Sequence, residues 1–299
     1  MPNDDQAWQR CQDALAAEVA RVTELLRSLP GGPGGPGGPG TAAGADRERV
    51  VGEWDLVEVA VHLSQAWIAV PGLARAELSE VEAMVPGRGA GVSVAQSIDH
   101  LGEVTTRAVA AEPERDPAVL ATRIEVRAKE YLADCARQDP DQYRPWLISG
   151  ITVPPAVFTA HLLNETVMHG WDVATAAGRP WPINPAHAAL AVRWFLLELL
   201  VHDAPELIGD PVKLAVLQGR YLFDSRGHGR VRMVFDDAGA RLDDEPGTPD
   251  CRISLDPVAF LLLFFGRRGL LGTVAKGGLV AWGRKPWLGL RLLAALPTP

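Results

Sequence analysis

The first half of the chain carries apolar residues at helical spacing. Over residues 6–29 they recur every three or four positions, which is typical of a helix with one buried face. The same periodicity predicts a second helix from Leu56 to about Met84. Further helices are expected over residues 94–111, 117–138 and from 154–155 to about 178. The pattern therefore predicts a helical first domain.

The pattern changes after residues 179–182. A helix is expected over residues 185–201, and short runs rich in β-branched and aromatic residues then alternate with turn residues, which predicts strands. The strands are expected at residues 212–217, 220–223, 231–235 and 251–255, followed by a short apolar helix over residues 257–265 that Asp256 caps. The fold class is therefore α + (α+β), with a helical domain at residues 1–182 and a small α+β domain at residues 183–299.

A Gly/Pro-rich segment, GGPGGPGGPG, interrupts the first domain at residues 31–40. It lacks the preceding strand, the Lys and the spacing of a phosphate-binding loop, and it is too short for collagen. We expect a flexible loop over about residues 31–46.

The segment NETVMHGWD, residues 164–172, places Glu165 and His169 four positions apart in an otherwise apolar helix. This spacing puts both side chains on one helix face, roughly 5–6 Å apart at Cβ. A carboxylate among apolar residues is costly to bury unless it is paired or binds a metal. A divalent metal shared with His169 would pair Glu165.

A third ligand is expected from another helix. His161 lies eight residues before His169, a rise of about 12 Å, so both imidazoles cannot reach one ion. His62 lies in the apolar stripe of the second helix, whose start has a capping box made by Asp55 and Glu58. From the residues alone, alternatives stay open: His62 as an ordinary core histidine, and Glu165 with His169 as a surface pair.

Composition limits the kind of partner. The net charge of −8 argues against a nucleic-acid partner. Three widely spaced cysteines, Cys11, Cys135 and Cys251, favour buried free thiols in a reducing cytoplasm. The N-terminus is polar and acidic, unlike a signal peptide, and the longest apolar run, residues 258–265, is far shorter than the roughly 20 residues that span a bilayer. We therefore expect a cytoplasmic protein with no membrane partner.

Two motifs resemble the mycothiol-dependent maleylpyruvate isomerase family. They are W-D-L-x-E-V-A-x-H-L, which begins at Trp54, and E-x-x-x-H-G-W-D-x-A-x-A-x-G-R, which begins at Glu165. The resemblance implies an N-terminal DinB-like four-helix bundle and a small sterol carrier-like α+β domain. It also implies that His62, Glu165 and His169 bind a divalent metal, usually zinc, and that mycothiol is the cosubstrate.

Two His and one Glu leave a coordination position open on zinc, as in catalytic sites. A coordinated thiol loses its proton, and the thiolate is the nucleophile. Because no protein cysteine fits this role, we expect the thiol of a small-molecule cosubstrate to act on an electrophilic substrate. Cis–trans isomerisation and S-transfer both remain open, and the long Gly/Pro insertion, a mark of a divergent member, slightly favours S-transfer.

Other side chains are candidates for supporting roles. Asp172 is expected either to orient a ligand imidazole or to be a surface acid. Candidate substrate-binding residues are Arg267, Arg268, Arg284, Trp54 and Trp171. Two other functions stay open: a non-enzymatic small-molecule binding protein with a structural metal, and a hydrolase that activates metal-bound water.

Overall fold

The computed structural model describes residues 4–30, 48–77, 79–80, 94–146, 151–245 and 247–296. The chain divides into two compact units. One comprises most of the residues up to Ile183, and the other comprises Asn184–Pro299 with two shorter earlier segments. The predicted loop at about residues 31–46 lies outside the described residues.

The first unit is helical. Its helices are α1 (Asp4–Arg27), α2 (Leu56–Arg75), α4 (Pro117–Cys135), α5 (Pro155–Ala176) and, from His100 onward, α3 (Val94–Ala111). Helix α1 packs against α4 and α5, and α2 packs against the same two helices. These four helices form the predicted bundle. Helix α3 contacts α2 through the side-chain amide of Gln65, which donates to the carbonyl of Ala108 at 2.9 Å.

Two helix ends differ from the prediction. Helix α2 ends at Arg75 instead of continuing to Met84, because Ala76 adopts a left-handed conformation with φ 58° and closes the last turn. Helix α4 ends at Cys135 instead of Gln138. Two-residue strands, β1 (Arg144–Pro145) and β2 (Thr152–Val153), lie between α4 and α5.

The bundle core contains a short polar network. The indole of Trp8 donates to the hydroxyl of Thr159 at 2.8 Å, and the hydroxyl of Tyr131 lies 2.9 Å from the same oxygen. Trp67 is fully buried and packs edge-on against Tyr131. Since these polar atoms satisfy one another, the network links α1, α4 and α5 without leaving a lone buried hydroxyl.

One helix, α2, is long and apolar enough to cross a membrane by length and composition alone. However, 67% of its apolar window is buried inside the protein. This burial is typical of a core helix, because a spanning helix would turn its apolar side chains toward lipid.

The second unit begins with a long helical segment. It comprises α6 (Pro185–Ala191), a π-helical stretch (Val192–Leu197) and α7 (Glu198–Ile208), so it continues beyond the predicted end at residue 201. Gly209 follows with φ 65° and caps the segment. Helix α8 (Pro211–Ala215) comes next. The predicted strand over residues 212–217 is therefore wrong, because Asp210 caps a helix that starts at Pro211.

A five-stranded sheet follows. Its strands are β3 (Gly219–Asp224), β4 (Arg230–Asp236), β5 (Gly239–Leu242), β6 (Cys251–Leu255) and β7 (Leu279–Trp282). The order is β5-β4-β3-β6-β7, with β3 and β6 parallel and the other pairs antiparallel. The predicted strands at 220–223, 231–235 and 251–255 are confirmed, whereas β5 and β7 were not predicted.

Three further helices lie in this unit: α9 (Pro257–Phe264), α10 (Leu270–Ala275) and α11 (Trp287–Ala295). The side chain of Asp256 caps α9 as predicted, whereas α10 and α11 were not predicted. Helix α11 covers the sheet where Gly289 meets Ala281, since a Cβ at Gly289 would lie 2.8 Å from that methyl group. The fold class, a helical bundle followed by an α+β unit, is confirmed.

A glycine in α5 allows a tryptophan to pack against the helix. A Cβ at Gly170 would lie 2.8 Å from Cζ2 of Trp181. The guanidinium of Arg21 in α1 lies 4.1 Å from the centroid of the same indole and also donates to the carbonyl of Pro182. The segment after α5 is thereby held against α1 and α5.

We predict that Gly170→Ala destabilises the protein. Overpacking costs about 1–3 kcal/mol, and the gain of about 1 kcal/mol from replacing a helical glycine offsets only part of that. Urea unfolding should show a net loss of up to about 2 kcal/mol in the free energy of unfolding. The control is Gly102→Ala in α3, where a Cβ meets no atom within 4 Å and a small gain is expected. Equal effects of the two substitutions would contradict the role of Trp181.

Candidate metal centre

Two helices of the bundle present the candidate residues. The predicted capping box begins α2: the side chain of Asp55 accepts from the amide of Glu58, and Glu58 accepts from the amide of Asp55, both at 2.9 Å. His62 lies two turns further along this helix. Helix α5 begins at Pro155 and carries Glu165 and His169. Because α2 and α5 pack together, His62 faces the Glu–His pair.

The three residues converge on one carboxylate oxygen. Nε2 of His62 and Nε2 of His169 each lie 3.3 Å from Oε2 of Glu165. One donor atom from each residue can be chosen so that all three lie within 4.8 Å of one another. The structure therefore brings together His62, Glu165 and His169. His62 precedes Glu165 by 103 positions in the sequence and lies on the other helix.

Burial and hydrogen bonding perturb the pKa of each member. Burial alone would raise the pKa of Glu165, but hydrogen bonds from His161, His169 and His62 hold it well below its usual range. Burial lowers the pKa of His62. Burial also opposes the charged form of His169, yet hydrogen bonds to Asp172 and Glu165 raise the pKa of His169 to about 9. The neighbours of Glu165 and His169 thus favour the charged form of each, whereas burial favours the neutral form of His62.

Two further side chains orient the cluster. Oδ2 of Asp172 lies 3.0 Å from Nδ1 of His169, and Asp172 is 1% exposed, so it is a buried partner and not a surface acid. This bond leaves Nε2 of His169 directed at Glu165. His161 contacts the other carboxylate oxygen, with Nε2 at 3.1 Å from Oε1 of Glu165.

His161 is the residue that sequence analysis did not assign to the site. It lies outside the three-residue cluster, as the rise along the helix led us to expect. It nevertheless reaches the cluster through Glu165, which lies between the two histidines of α5. The spacing of four between His161 and Glu165 was the available signal, because it places the two side chains on one face.

An aromatic ring holds His62. The ring of Trp54 lies 4.8 Å from the imidazole of His62, tilted by 32°, and the ring of His169 meets the same imidazole edge-on at 4.8 Å. Within the part of the chain that the structure describes, Nδ1 of His62 is buried and has no hydrogen-bond partner. The orientation of this imidazole therefore depends on ring packing as well as on Glu165.

The other candidates are not members of this three-residue cluster. Trp171 is half-buried and follows His169 by two positions, about 200° round the helix. The arginines belong to the second unit. Arg267 is half-buried and donates to the carbonyl of Phe265, Arg268 is exposed, and Arg284 donates to the carboxylate of Asp250 at 2.9 Å.

The donor set fits a divalent metal. Ligand atoms bound at about 2.0–2.2 Å in a tetrahedron are roughly 3.3–3.6 Å apart. The two nitrogen–oxygen distances of 3.3 Å match this spacing. Two imidazoles and one carboxylate are also a donor set that zinc accepts, with room for an additional ligand.

The cysteines offer no nucleophile. Cys11, Cys135 and Cys251 are buried and form no disulfide within the described residues, as predicted. Burial raises the pKa of Cys135 to about 11 and also raises the pKa of Cys251. The thiols of Cys135 and Cys251 therefore stay protonated near neutral pH, and a protonated thiol is a poor nucleophile.

A buried carboxylate surrounded by histidines of two helices defines the first unit as a helical bundle with a candidate metal centre. Residues 38–174, which include all three converging side chains, match the family model described as the mycothiol maleylpyruvate isomerase N-terminal domain. This match confirms the resemblance found in the sequence. The family is named for an isomerase, so the expectation of an enzyme is confirmed at that level.

Two solved structures are similar to the whole chain. They are the mycothiol-dependent maleylpyruvate isomerase and a mutant of it in which one histidine is replaced by alanine, with TM-scores of 0.46 and 0.47. Each is 12% identical to this chain, and each match covers 92% of both chains. No curated protein matches the chain significantly.

We predict that the native cysteines resist alkylation. Because all three are buried, iodoacetamide at pH 8 should label none of them in the folded protein and all of them in urea, as measured by intact mass. As a control, Val126→Cys places a thiol at a position that is 49% exposed and should be labelled in the folded protein. Labelling of a native cysteine as fast as this control would show an accessible thiol.

Proposed function

We propose that the chain is a metal-dependent enzyme of the mycothiol-dependent maleylpyruvate isomerase type. The observation that carries this proposal is the convergence of His62, Glu165 and His169 inside the segment matched by that family. In the proposal these three residues hold a divalent metal, with zinc favoured by the donor set. Mycothiol is the proposed cosubstrate, because the family is named for it.

The surrounding residues have distinct proposed tasks. Asp172 accepts from Nδ1 of His169 and keeps Nε2 of that ring available as a ligand. His161 donates to Oε1 of Glu165 and leaves Oε2 for the metal. Trp54 packs against His62 and restricts rotation of its ring. The chain thus supplies binding and orientation, while the reactive sulfur comes from the cosubstrate.

A bound divalent metal would lower the pKa of a coordinated thiol so that the thiolate forms near neutral pH. For isomerisation, the thiolate sulfur of the cosubstrate bonds to one carbon of a cis double bond, and the π electron pair moves onto the conjugated carbonyl of the substrate. The resulting single bond rotates, the electron pair returns, and the carbon–sulfur bond breaks to give the trans product. The thiol is regenerated. For S-transfer, the sulfur instead displaces a leaving group and remains on the product.

Residues for binding the substrate remain proposals. An acidic substrate requires a cation, and Arg268 is an exposed candidate, whereas the charge of Arg284 is already matched by Asp250. Arg267, Trp54 and Trp171 are further candidates. We also propose residues 1–182 and 183–299 as the domains, and a cytoplasmic location, where a reduced thiol cosubstrate persists.

We predict that the purified protein binds about one divalent metal per chain, consistent with a single three-ligand site. His169→Ala should abolish this binding, and Asp172→Asn should weaken it by about 10–100-fold, because the partner that orients His169 is lost. Elemental analysis and competition with a chelator measure both effects, and circular dichroism checks the helices.

His228→Ala is the matched control, since His228 is exposed and lies in the second unit. It should retain the metal with unchanged affinity. A wild-type protein that stays metal-free after zinc reconstitution would overturn the metal site. Binding that persists in His169→Ala would place the metal elsewhere.

We predict that turnover depends on added thiol and not on protein cysteines. Replacing Cys11, Cys135 and Cys251 by Ala or Ser should leave turnover of maleylpyruvate largely intact, whereas omitting mycothiol should abolish it. Measuring free thiol before and after turnover separates the two reactions, because isomerisation returns the thiol and S-transfer consumes it.

Other outcomes identify the alternatives. Metal-dependent turnover without any thiol would favour a hydrolase that activates water. Metal binding without turnover of maleylpyruvate or other electrophiles would favour a binding protein with a structural metal. Loss of turnover in a single, folded cysteine variant would contradict the role assigned to the cosubstrate.

A further inference from the structure

The charge of the chain is distributed unevenly. The whole chain has 29 Lys and Arg and 37 Asp and Glu. Residues 257–299 contain six of the basic residues and no acidic residue, so this segment carries +6 while residues 1–256 carry −14. Such asymmetry indicates a region that meets an anionic partner.

Helix α11 lies within this basic segment and is apolar on nearly every side. Its sequence is WLGLRLLAA, in which Arg291 is the one charged residue. Leu288 and Leu292 are buried in the second unit, whereas Trp287 and Leu290 are 49% and 57% exposed. A helix that is apolar all round is normally buried on all sides. The outer side of α11 therefore has the composition of a covered surface.

Helix α8 extends this surface. Arg291 of α11 donates to the carbonyl of Val216 just after α8, at 3.5 Å. Val212 and Val216 are 72% and 42% exposed. We define the α8–α11 face as Val212, Val216, Trp287 and Leu290.

Cations accompany these apolar residues. Lys213 and Arg291 are exposed, and no carboxylate in the described ranges lies within ion-pair distance of either. Lys285, just before α11, lies 3.9 Å from Asp250, which also binds Arg284. The face thus combines exposed Trp, Leu and Val side chains with unpaired positive charge.

We propose that the α8–α11 face docks onto an anionic membrane surface. Trp and Leu beside Lys and Arg are the composition of helices that lie in the membrane interface, where the apolar side chains enter the headgroup boundary and the cations meet anionic lipids. Residues 1–256 carry a net charge of −14 and are not attracted to an anionic surface, so the electrostatic attraction comes from the basic segment, residues 257–299. The expectation of no membrane partner rested on the lack of a spanning segment, and a helix lying on the surface needs none.

A nucleic acid fits this face less well than a membrane. Phosphate contacts require cations and hydrogen-bond donors, and four exposed apolar side chains gain nothing from a phosphate backbone. The repulsion from residues 1–256 would also oppose a partner that surrounds the protein. The proposal is independent of the proposed enzymatic function, because it uses no residue of the metal centre.

Co-sedimentation of the full chain with lipid vesicles tests the proposal. Vesicles of phosphatidylcholine with phosphatidylglycerol should bind the protein at low salt, and vesicles of phosphatidylcholine alone should bind it far less. Trp287→Ser with Leu290→Ser should weaken binding at least about tenfold, because two buried apolar side chains are lost. Lys213→Gln with Arg291→Gln should weaken it roughly thirtyfold, at the free energy typical of two surface cations.

Matched pairs in the first unit are the controls. Val119→Ser with Val126→Ser removes two apolar side chains that are 39% and 49% exposed, and Arg107→Gln with Lys129→Gln removes two exposed cations. Both control proteins should bind vesicles like the wild type. Circular dichroism and the melting temperature verify that every variant is folded.

Three outcomes would overturn the proposal. They are absence of binding to anionic vesicles, equal binding to neutral vesicles, and equal losses in the test and control pairs. If the protein instead self-associates, and Trp287→Ser with Leu290→Ser alone converts it to a smaller species by light scattering, the face is a contact between copies of the chain and the membrane proposal is wrong.

Discussion

The site in the first unit depends on the largely buried negative charge of Glu165. The side chain of Glu165 is 15% exposed, and its carboxylate is surrounded by the imidazoles of His62, His161 and His169. Removing a carboxylate from water is costly, and it is tolerated only when donors or a cation replace the lost hydration. The packing of α2 against α5 is therefore an electrostatic requirement as well as a hydrophobic one, since His62 can reach Glu165 only from the neighbouring helix.

The supporting contacts restrict the same few side chains. Asp172 holds His169 by a hydrogen bond, and the ring of Trp54 packs against His62. Gly170, directly after His169, lets Trp181 approach the helix backbone, and Arg21 packs over that indole. Donor atoms held in this way need little rearrangement to bind a metal, which is the physical basis for proposing a metal centre and, through the family, a thiol-using enzyme.

The second unit combines a buried sheet with one helix that has an exposed apolar side. Its sheet buries the side chains of Tyr221, Phe223, Met233 and Phe235, whereas α11 retains apolar residues on a side that the described residues leave exposed. Because the same segment is rich in basic residues, we propose that the exposed apolar side of α11 binds an anionic surface. Catalysis and location would then be carried by separate parts of the molecule.

The sequence alone determined the features that depend on local periodicity. Glu165 and His169 share a face because they are four residues apart in a helix, and Asp55 and Glu58 cap α2 because their spacing matches a capping box. The widely spaced cysteines are buried and form no disulfide within the described residues. The sequence also identified His62, from the apolar stripe of α2 and from the family resemblance. Only the tertiary structure decided that His62 and His169 approach the same oxygen of Glu165, and that His161 binds the other. The tertiary structure also decided that α2 ends before Ala76 and that a helix, not a strand, follows Asp210. It decided as well that the short strands β5 and β7 form the two edges of the sheet, where β5 pairs with β4 and β7 pairs with β6. Local spacing determines which side chains share a face, whereas the element that each face meets depends on how the whole core packs.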